Sequence, residues 1–341
     1  MNKRGQFELK FARAAAFAAL ALATFLTLLV PGVAQTSNFG PTASAILTTD
    51  ASLASENDPN DSILTIRKRV DEVNVLFIAT DRHGKFVRNL NQKDFAFADD
   101  HKPVESIIAF RPETNLPIEL GLLMDVSGSV QGRFAFEKDA AIGFLQHMIR
   151  PGYDKAFVVG FNKESRLAQD FTDSVPALAA GIQRMTDGGG TALYDAIYKA
   201  CKEKLLREHS DHPIRKAIVV VSDGEDNQSE VTRAQAIEMA QRAEVLIYAI
   251  STNITRAETD GDKVLRYLTQ ETGGQAFFPF KVEDLAQSFE NIANQLTHQY
   301  NLLYRPEPLI TDGLWHPVQL RVRGRKDLQV RCRTGYYAMK M

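Results

Sequence analysis

The sequence predicts an α/β protein: a doubly wound, mostly parallel six-stranded sheet, with a smaller β-sandwich-like unit built from the two flanks of the chain. Three observations carry this. Between residues 116 and 299 short apolar runs alternate with amphipathic helical stretches, the pattern of a parallel sheet covered on both faces. One run, Leu120 to Met124 within PIELGLLMDVSGSV, contains no polar residue, as a strand buried on both sides requires. Before residue 115 and after residue 300 the runs become short and alternating, broken by His83-Gly84, Asp99-Asp100 and Asp312-Gly313, which is hairpin grammar.

At the N-terminus, Lys3, Arg4, Lys10 and Arg13 precede the largely apolar Ala14 to Val30 and the small residues Pro31-Gly32-Val33-Ala34. That is the layout of a secretory signal peptide, residues 1–34, cleaved after Ala34; it implies an exported, periplasmic or extracellular protein associated with the cell envelope. Left uncleaved, residues 14–30 are long enough to anchor the chain, the one route to membrane contact that the sequence offers. Cleavage removes four basic residues and one acidic residue, so the formal charge moves from −2 to −5. Such a surface has no basic excess to attract nucleic acid. Residues 35–61, rich in Ser, Thr, Asn, Asp and Ala without a period, read as a disordered linker.

Residues 62–115 form the first part of the β unit, with strands expected at 63–67, 73–80, 95–98 and 107–110. In the α/β domain, residues 116–299, a helix at 133–149 presents Ala141, Phe144, Leu145 and Met148 on one face and ends at Pro151-Gly152. A strand at 155–161 follows, then a more polar one at 165–171 that suits the sheet edge. Helices at 175–185 and 192–207 flank the turn Asp187-Gly188-Gly189-Gly190-Thr191. The most apolar strand, 216–221, ends at Ser222-Asp223-Gly224; a helix at 233–242, a strand at 245–250, a helix at 263–271, a strand at 275–280 and a helix at 282–299 complete the domain. The tail, 300–341, holds YNLLY, PVQLRV and LQVRCR, too few strands to stand alone, so they are expected to pair with the strands before residue 115. Cys201 lies on the stripe Leu193, Ile197, Cys201, Leu205, and Cys332 alternates inward with Val330. Both read as small core hydrophobes rather than a disulfide.

A doubly wound sheet of order 3-2-1-4-5-6 opens a crevice at the carboxyl ends of its first and fourth strands. Those ends carry Asp125-Val126-Ser127-Gly128-Ser129 and Ser222-Asp223-Gly224, and Thr191 can approach the same crevice from its glycine-rich turn. Two carboxylates and three hydroxyls on separate segments suit a hard cation with oxygen ligands, Mg2+ or Mn2+ ahead of Ca2+. Singly, Asp125, Ser127 and Ser129 are ordinary turn or capping residues, and only the full set argues for more.

Residues 117–299 resemble a von Willebrand factor type A domain, whose metal ion-dependent adhesion site has the pattern D-x-S-x-S, then T, then D. Asp125, Ser127, Ser129, Thr191 and Asp223 fill all five positions. The resemblance implies that the three hydroxyls coordinate the metal, that Asp125 and Asp223 act largely through bound waters, and that an open position receives a carboxylate, Asp or Glu, of a partner protein. It also implies that the last helix, 282–299, shifts when ligand engages. The flanks DEVNVLFIATDRHG, HPVQLRVRGR and RTGYYA are similar to those of exported VWFA-related bacterial proteins of acidobacterial type.

Other chemistries find less support. Gly188 to Gly190 lack the G-K-[ST] of a phosphate-binding loop, and the seven histidines share no metal-ligand spacing. Glu225 and Asp226 read as solvated or helix-capping residues, and Trp315, Tyr336 and Tyr337 as packing of the β unit. Asp125 lacks the second acid two residues on that an aspartyl phosphotransferase uses, and the segment lacks G-x-S-x-G. The sequence thus predicts no catalytic residues and an exported binding or adhesion module. Two alternatives stand beside it: a structural or assembly subunit of a cell-envelope complex in which the metal only rigidifies loops, and a metal-dependent hydrolase.

Overall fold

A computed structural model describes residues 72–340 apart from 83–84, 114, 129–131, 207–213, 254, 256, 282–283, 326 and 339. The signal peptide expected at 1–34, the linker at 35–61, the strand at 63–67 and the site residue Ser129 lie outside the described residues. The first flank forms β1 (Val73–Asp81), β2 (Phe95–Asp99), β3 (Lys102–Pro103) and β4 (Ile107–Glu113). There follow β5 (Ile118–Asp125), α1 (Phe134–Met148), β6 (Lys155–Phe161), β7 (Ser165–Thr172), α2 (Val175–Gln183), α3 (Leu193–Lys199) and β8 (Arg215–Ser222). Next are α4 (Arg233–Arg242), β9 (Leu246–Ser251), α5 (Asp260–Thr272), β10 (Ala276–Phe277) and α6 (Asp284–Thr297). The tail forms β11 (Gln299–Tyr304), β12 (Trp315–Val322), β13 (Leu328–Cys332) and β14 (Gly335–Tyr337).

The central sheet has six strands in the order β10-β9-β8-β5-β6-β7. Counted within the domain this is the expected 3-2-1-4-5-6. All neighbours are parallel except β7, which runs antiparallel at the edge beside β6. Burial on both faces explains the unbroken apolar runs. Leu122, Met124, Val158 and Val219 pack under α1, α2 and α6. Leu123, Phe157, Ile218, Val220 and Ile247 pack under α3, α4 and α5. Helix starts follow local chemistry: Thr232 and Gln235 cap α4 reciprocally, and Thr259 and Asp262 do the same for α5.

Two expected elements differ. The helix predicted at 192–207 is α-helical only to Lys199 and continues as a π-helical segment, Ala200–Leu205. Its four-residue stripe Leu193, Ile197, Cys201, Leu205 overshoots an α-helical turn and drifts round the axis; the wider π turn brings Leu205 back into the core. The strand predicted at 275–280 is reduced to Ala276–Phe277, because Pro279 has no N–H to extend the ladder.

The flanks build two four-stranded antiparallel sheets, β13-β1-β11-β4 and β14-β12-β2-β3. Each mixes strands from both ends of the chain: β1 lies between β11 and β13, and β2 pairs with β12. One cluster fills the space between the sheets, with Val75, Phe77, Phe95, Phe97, Leu302 and Tyr304 among its members. The Tyr304 and Tyr336 hydroxyls both donate to Asp99 Oδ2, at 2.8 and 3.0 Å. Cys201 and Cys332 are free thiols in different clusters, and burial raises the proton affinity of both. Among the described residues no helix is long and apolar enough to cross a membrane.

Candidate metal centre

The site grows from the end of β5. Asp125 is 1% exposed, and both carboxylate oxygens are committed: Oδ1 accepts the Ser127 N–H at 2.8 Å and Oδ2 accepts the Ser222 hydroxyl at 2.8 Å. Ser222 ends β8, and its Oγ in turn accepts the Gly224 N–H at 3.0 Å. One carboxylate therefore fastens the ends of the first and fourth strands of the sheet together.

The glycine turn is laid along the first loop by two backbone bonds, Gly188 N–H to Val126 O at 2.7 Å and Gly128 N–H to Gly189 O at 3.2 Å. Asn162, just past β6, holds the turn from beneath by donating Nδ2 to Gly188 O at 2.7 Å and accepting the Ala192 N–H on its carbonyl. Thr191 is buried and fixed at both backbone atoms. Its N–H donates to Asn227 Oδ1, and its carbonyl accepts the N–H groups of Asn227 and Gln228, each at 3.0 Å. Beyond it, Asp226 caps α3 by accepting the Tyr194 N–H, while Asp195 accepts the Glu230 and Val231 N–H groups. Asp226 thus acts as a cap for a helix on another segment, and Glu225 is exposed.

Asp223 is partly exposed, and its Oδ1 accepts the Glu225 N–H at 3.1 Å. Gly224 has φ +83, and Gly261 in the first turn of α5 lies against it so closely that a Cβ on Gly261 would stand 2.2 Å from the Asp223 carbonyl oxygen. Only glycine allows this approach. The structure thus brings Asp125, Ser127, Thr191 and Asp223 to the carboxyl ends of the central strands on three interlocked loops.

The electrostatics favour a cation. Burial pushes the proton affinity of Asp125 up and the charge of Asp223 adds to this, while hydrogen bonds from Ser127 and Ser222 pull it down. Glu137, in the first turn of α1, is 1% exposed and neither of its carboxylate oxygens has a hydrogen bond. Burial raises its pKa to about 7; Arg133, 4.0 Å away, opposes the shift, and the charges of Asp125 and Asp223 reinforce it. Among the described residues no three His, Cys, Asp or Glu side chains form a metal cluster. The candidate donors here are instead hydroxyls beside two carboxylates, all hard oxygens, and such a set fits a divalent cation.

The sequence profile of the von Willebrand factor type A domain matches residues 119–295, just over half of the chain. The chain belongs to the von Willebrand factor type A domain family. No curated protein matches it. Solved structures similar to this VWA protein include proximal thread matrix protein 1 from the mussel byssus with a zinc-occupied MIDAS motif, 14% identical, TM-score 0.47, covering 58% of this chain and 50% of that one. Another is a von Willebrand factor type A protein from Catenulispora acidiphila, 13% identical, TM-score 0.46, covering 69% and 74%. A third is BatB from Bacteroides thetaiotaomicron, 16% identical, TM-score 0.41, covering 52% and 99%. The match thus spans about half the length of the mussel protein.

Sequence reasoning missed the supporting residues of this VWA domain. Ser222, Asn162 and Asn227 are single polar residues in loops or at a strand end and carry no spacing signal. Glu137 did carry one: it interrupts the apolar stripe Phe134, Ala141, Phe144, Leu145, Met148 with an acid.

Proposed function

We propose that this VWA protein is an exported, non-catalytic binding module that holds Mg2+ or Mn2+ at the crevice and captures an Asp or Glu side chain of a partner protein. In this reading the hydroxyls of Ser127, Ser129 and Thr191 coordinate the ion, and Asp125 and Asp223 act through bound water. The observation that carries it is the locking of the three loops around Asp125, a buried carboxylate with Asp223 beside it. A bound cation supplies an electrophilic point for an incoming carboxylate; keeping both protein carboxylates one water away leaves that point its positive character. Residues 1–34 support export.

The test is calorimetry with Mn2+, followed by an acidic peptide library in Mn2+ and in EDTA. Asp125→Ala and Asp223→Ala are expected to weaken Mn2+ binding by about 10- to 100-fold and to abolish peptide capture while the far-ultraviolet circular dichroism stays unchanged. Peptide capture that persists in excess EDTA overturns the reading. Mn2+ binding without any carboxylate capture assigns the ion to loop rigidity alone.

A further inference from the structure

We propose that the cleft between β12, β13 and the end of α5 binds a phosphate-class oxyanion, held by the guanidinium of Arg331 with Arg321 as a second donor. The cleft measures about 370 Å³, and its lining includes Arg321, Arg331 and Arg333 together with Gln270, Gly273 and Gly274, with no acidic residue. It lies far along the chain from every residue of the metal centre and shares none of them.

Its position follows from topology. Consecutive strands β12 and β13 belong to different sheets of the sandwich, so the two sheets part between them, and the C-terminal end of α5 closes one side. Val330 and Cys332 pack against the sandwich core. Arg331 alternates with them and therefore leaves the opposite face, toward the uncharged phenol of Tyr248 on β9.

Arg331 is the decisive residue. It is only partly exposed, burial lowers its proton affinity, its Nε has no hydrogen bond, and no ion pair reaches its side chain among the described residues. A cation in that position is normally paired. The two nearest acids are engaged by other residues. Glu244 pairs with Arg333 at 3.1 Å, and Glu271 Oε2 accepts the Thr334 hydroxyl at 3.0 Å. The last carbonyls of α5 are likewise occupied: Thr269 O by Gly274 N–H, Gln270 O by Gly273 N–H, and Glu271 O by Gln241 and Thr334. None of these bonds comes from Arg331. A doubly charged tetrahedral oxyanion, by contrast, can accept several N–H groups from forked guanidiniums at once.

The experiment titrates the full chain with inorganic phosphate and, in a separate arm, with phenyl phosphate. Ionic strength is held constant with NaCl, and EDTA keeps the metal centre out of the reaction. Expected are saturable heat with one site per chain and a rise in Tm that follows the binding curve. Arg331→Gln should weaken binding by roughly tenfold or more, and Arg321→Gln should weaken it less. Arg325→Gln, which removes a surface arginine paired with Asp327, should leave it unchanged. Without phosphate, Arg331→Gln should melt at or above the wild type, because it removes an unpaired half-buried charge; a purely structural arginine would give the reverse. Tighter binding of phenyl phosphate identifies the occupant as a phosphorylated ligand, and equal binding identifies it as the free ion. No saturable binding, or wild-type binding by Arg331→Gln, overturns the proposal.

Discussion

Glu137 shows how a single side chain sets the behaviour of the crevice. Its carboxyl is buried without a hydrogen bond, and its pKa rises from 4.5 to about 7. An acid that binds its proton more tightly in the folded state stabilises the fold below its unfolded pKa and loses that contribution as pH climbs through the folded one. Metal-free protein should therefore weaken between pH 4.5 and about 7. Glu137→Gln should remove this dependence, raising the urea midpoint at pH 8 while changing little at pH 5. The gain is at most on the order of 3 kcal/mol, since each tenfold change in proton affinity is worth about 1.4 kcal/mol. Equal midpoints at pH 8 would show that the carboxylate is already neutralised. For Asp125 the direction is also upward, so Mn2+ affinity should fall as pH drops toward the raised value, which calorimetry across pH reads directly. At this scale the sequence marked Asp125 and Ser127 by their spacing, Thr191 by the glycine turn before it and Asp223 by its strand end, and the structure puts all four at the carboxyl ends of the central strands. The sequence concealed those whose role depends on which strand end lies next door, such as Ser222.

Among the elements, α5 does more than cover the sheet. Its first turn is held by Asp262, which accepts from the Ser251 hydroxyl at 2.6 Å, and this places Gly261 against the Asp223–Gly224 backbone. Gly261→Ala would force a Cβ into the Asp223 carbonyl, so the loop must move. We expect a stability loss of about 1–3 kcal/mol by urea unfolding, together with weaker Mn2+ binding by calorimetry. A loss of stability with unchanged Mn2+ affinity would mean that the loop position does not matter to the ion. The alternation of strands and helices was legible because each buried face imposes its own period on the residues. The π turn at Ala200–Leu205 and the shortened β10 were not, although the four-residue stripe and Pro279 record their causes. The close fit of Gly261 to a loop some forty residues earlier has no local signature at all.

At the scale of the whole molecule, the two flanks are one structure because neither can complete a sheet alone. Both neighbours of β1 come from the tail, and β2 takes β12 from it. A chain ending at residue 299 should therefore leave the amides of Val73 to Asp81 unprotected in hydrogen exchange, whereas the full chain protects them. Protection that survives the truncation would show that the first flank folds without the tail. The pairing of the flanks could be foreseen from strand number; which strand pairs with which could not, since all are short and similarly alternating.

The join between α6 and β11 has a mechanical consequence. Thr297 ends the helix and Gln299 opens the strand, leaving a single residue between them. A one-turn slide of α6, about 5.4 Å, exceeds the rise of one strand residue, about 3.4 Å. Since β11 is laddered to β1 on one side and β4 on the other, such a slide would shear both ladders and turn Leu302 and Tyr304 out of the core. Any movement of the helix is thus tied to the strand, so tension applied to it runs along a continuous load path into the middle of the sandwich.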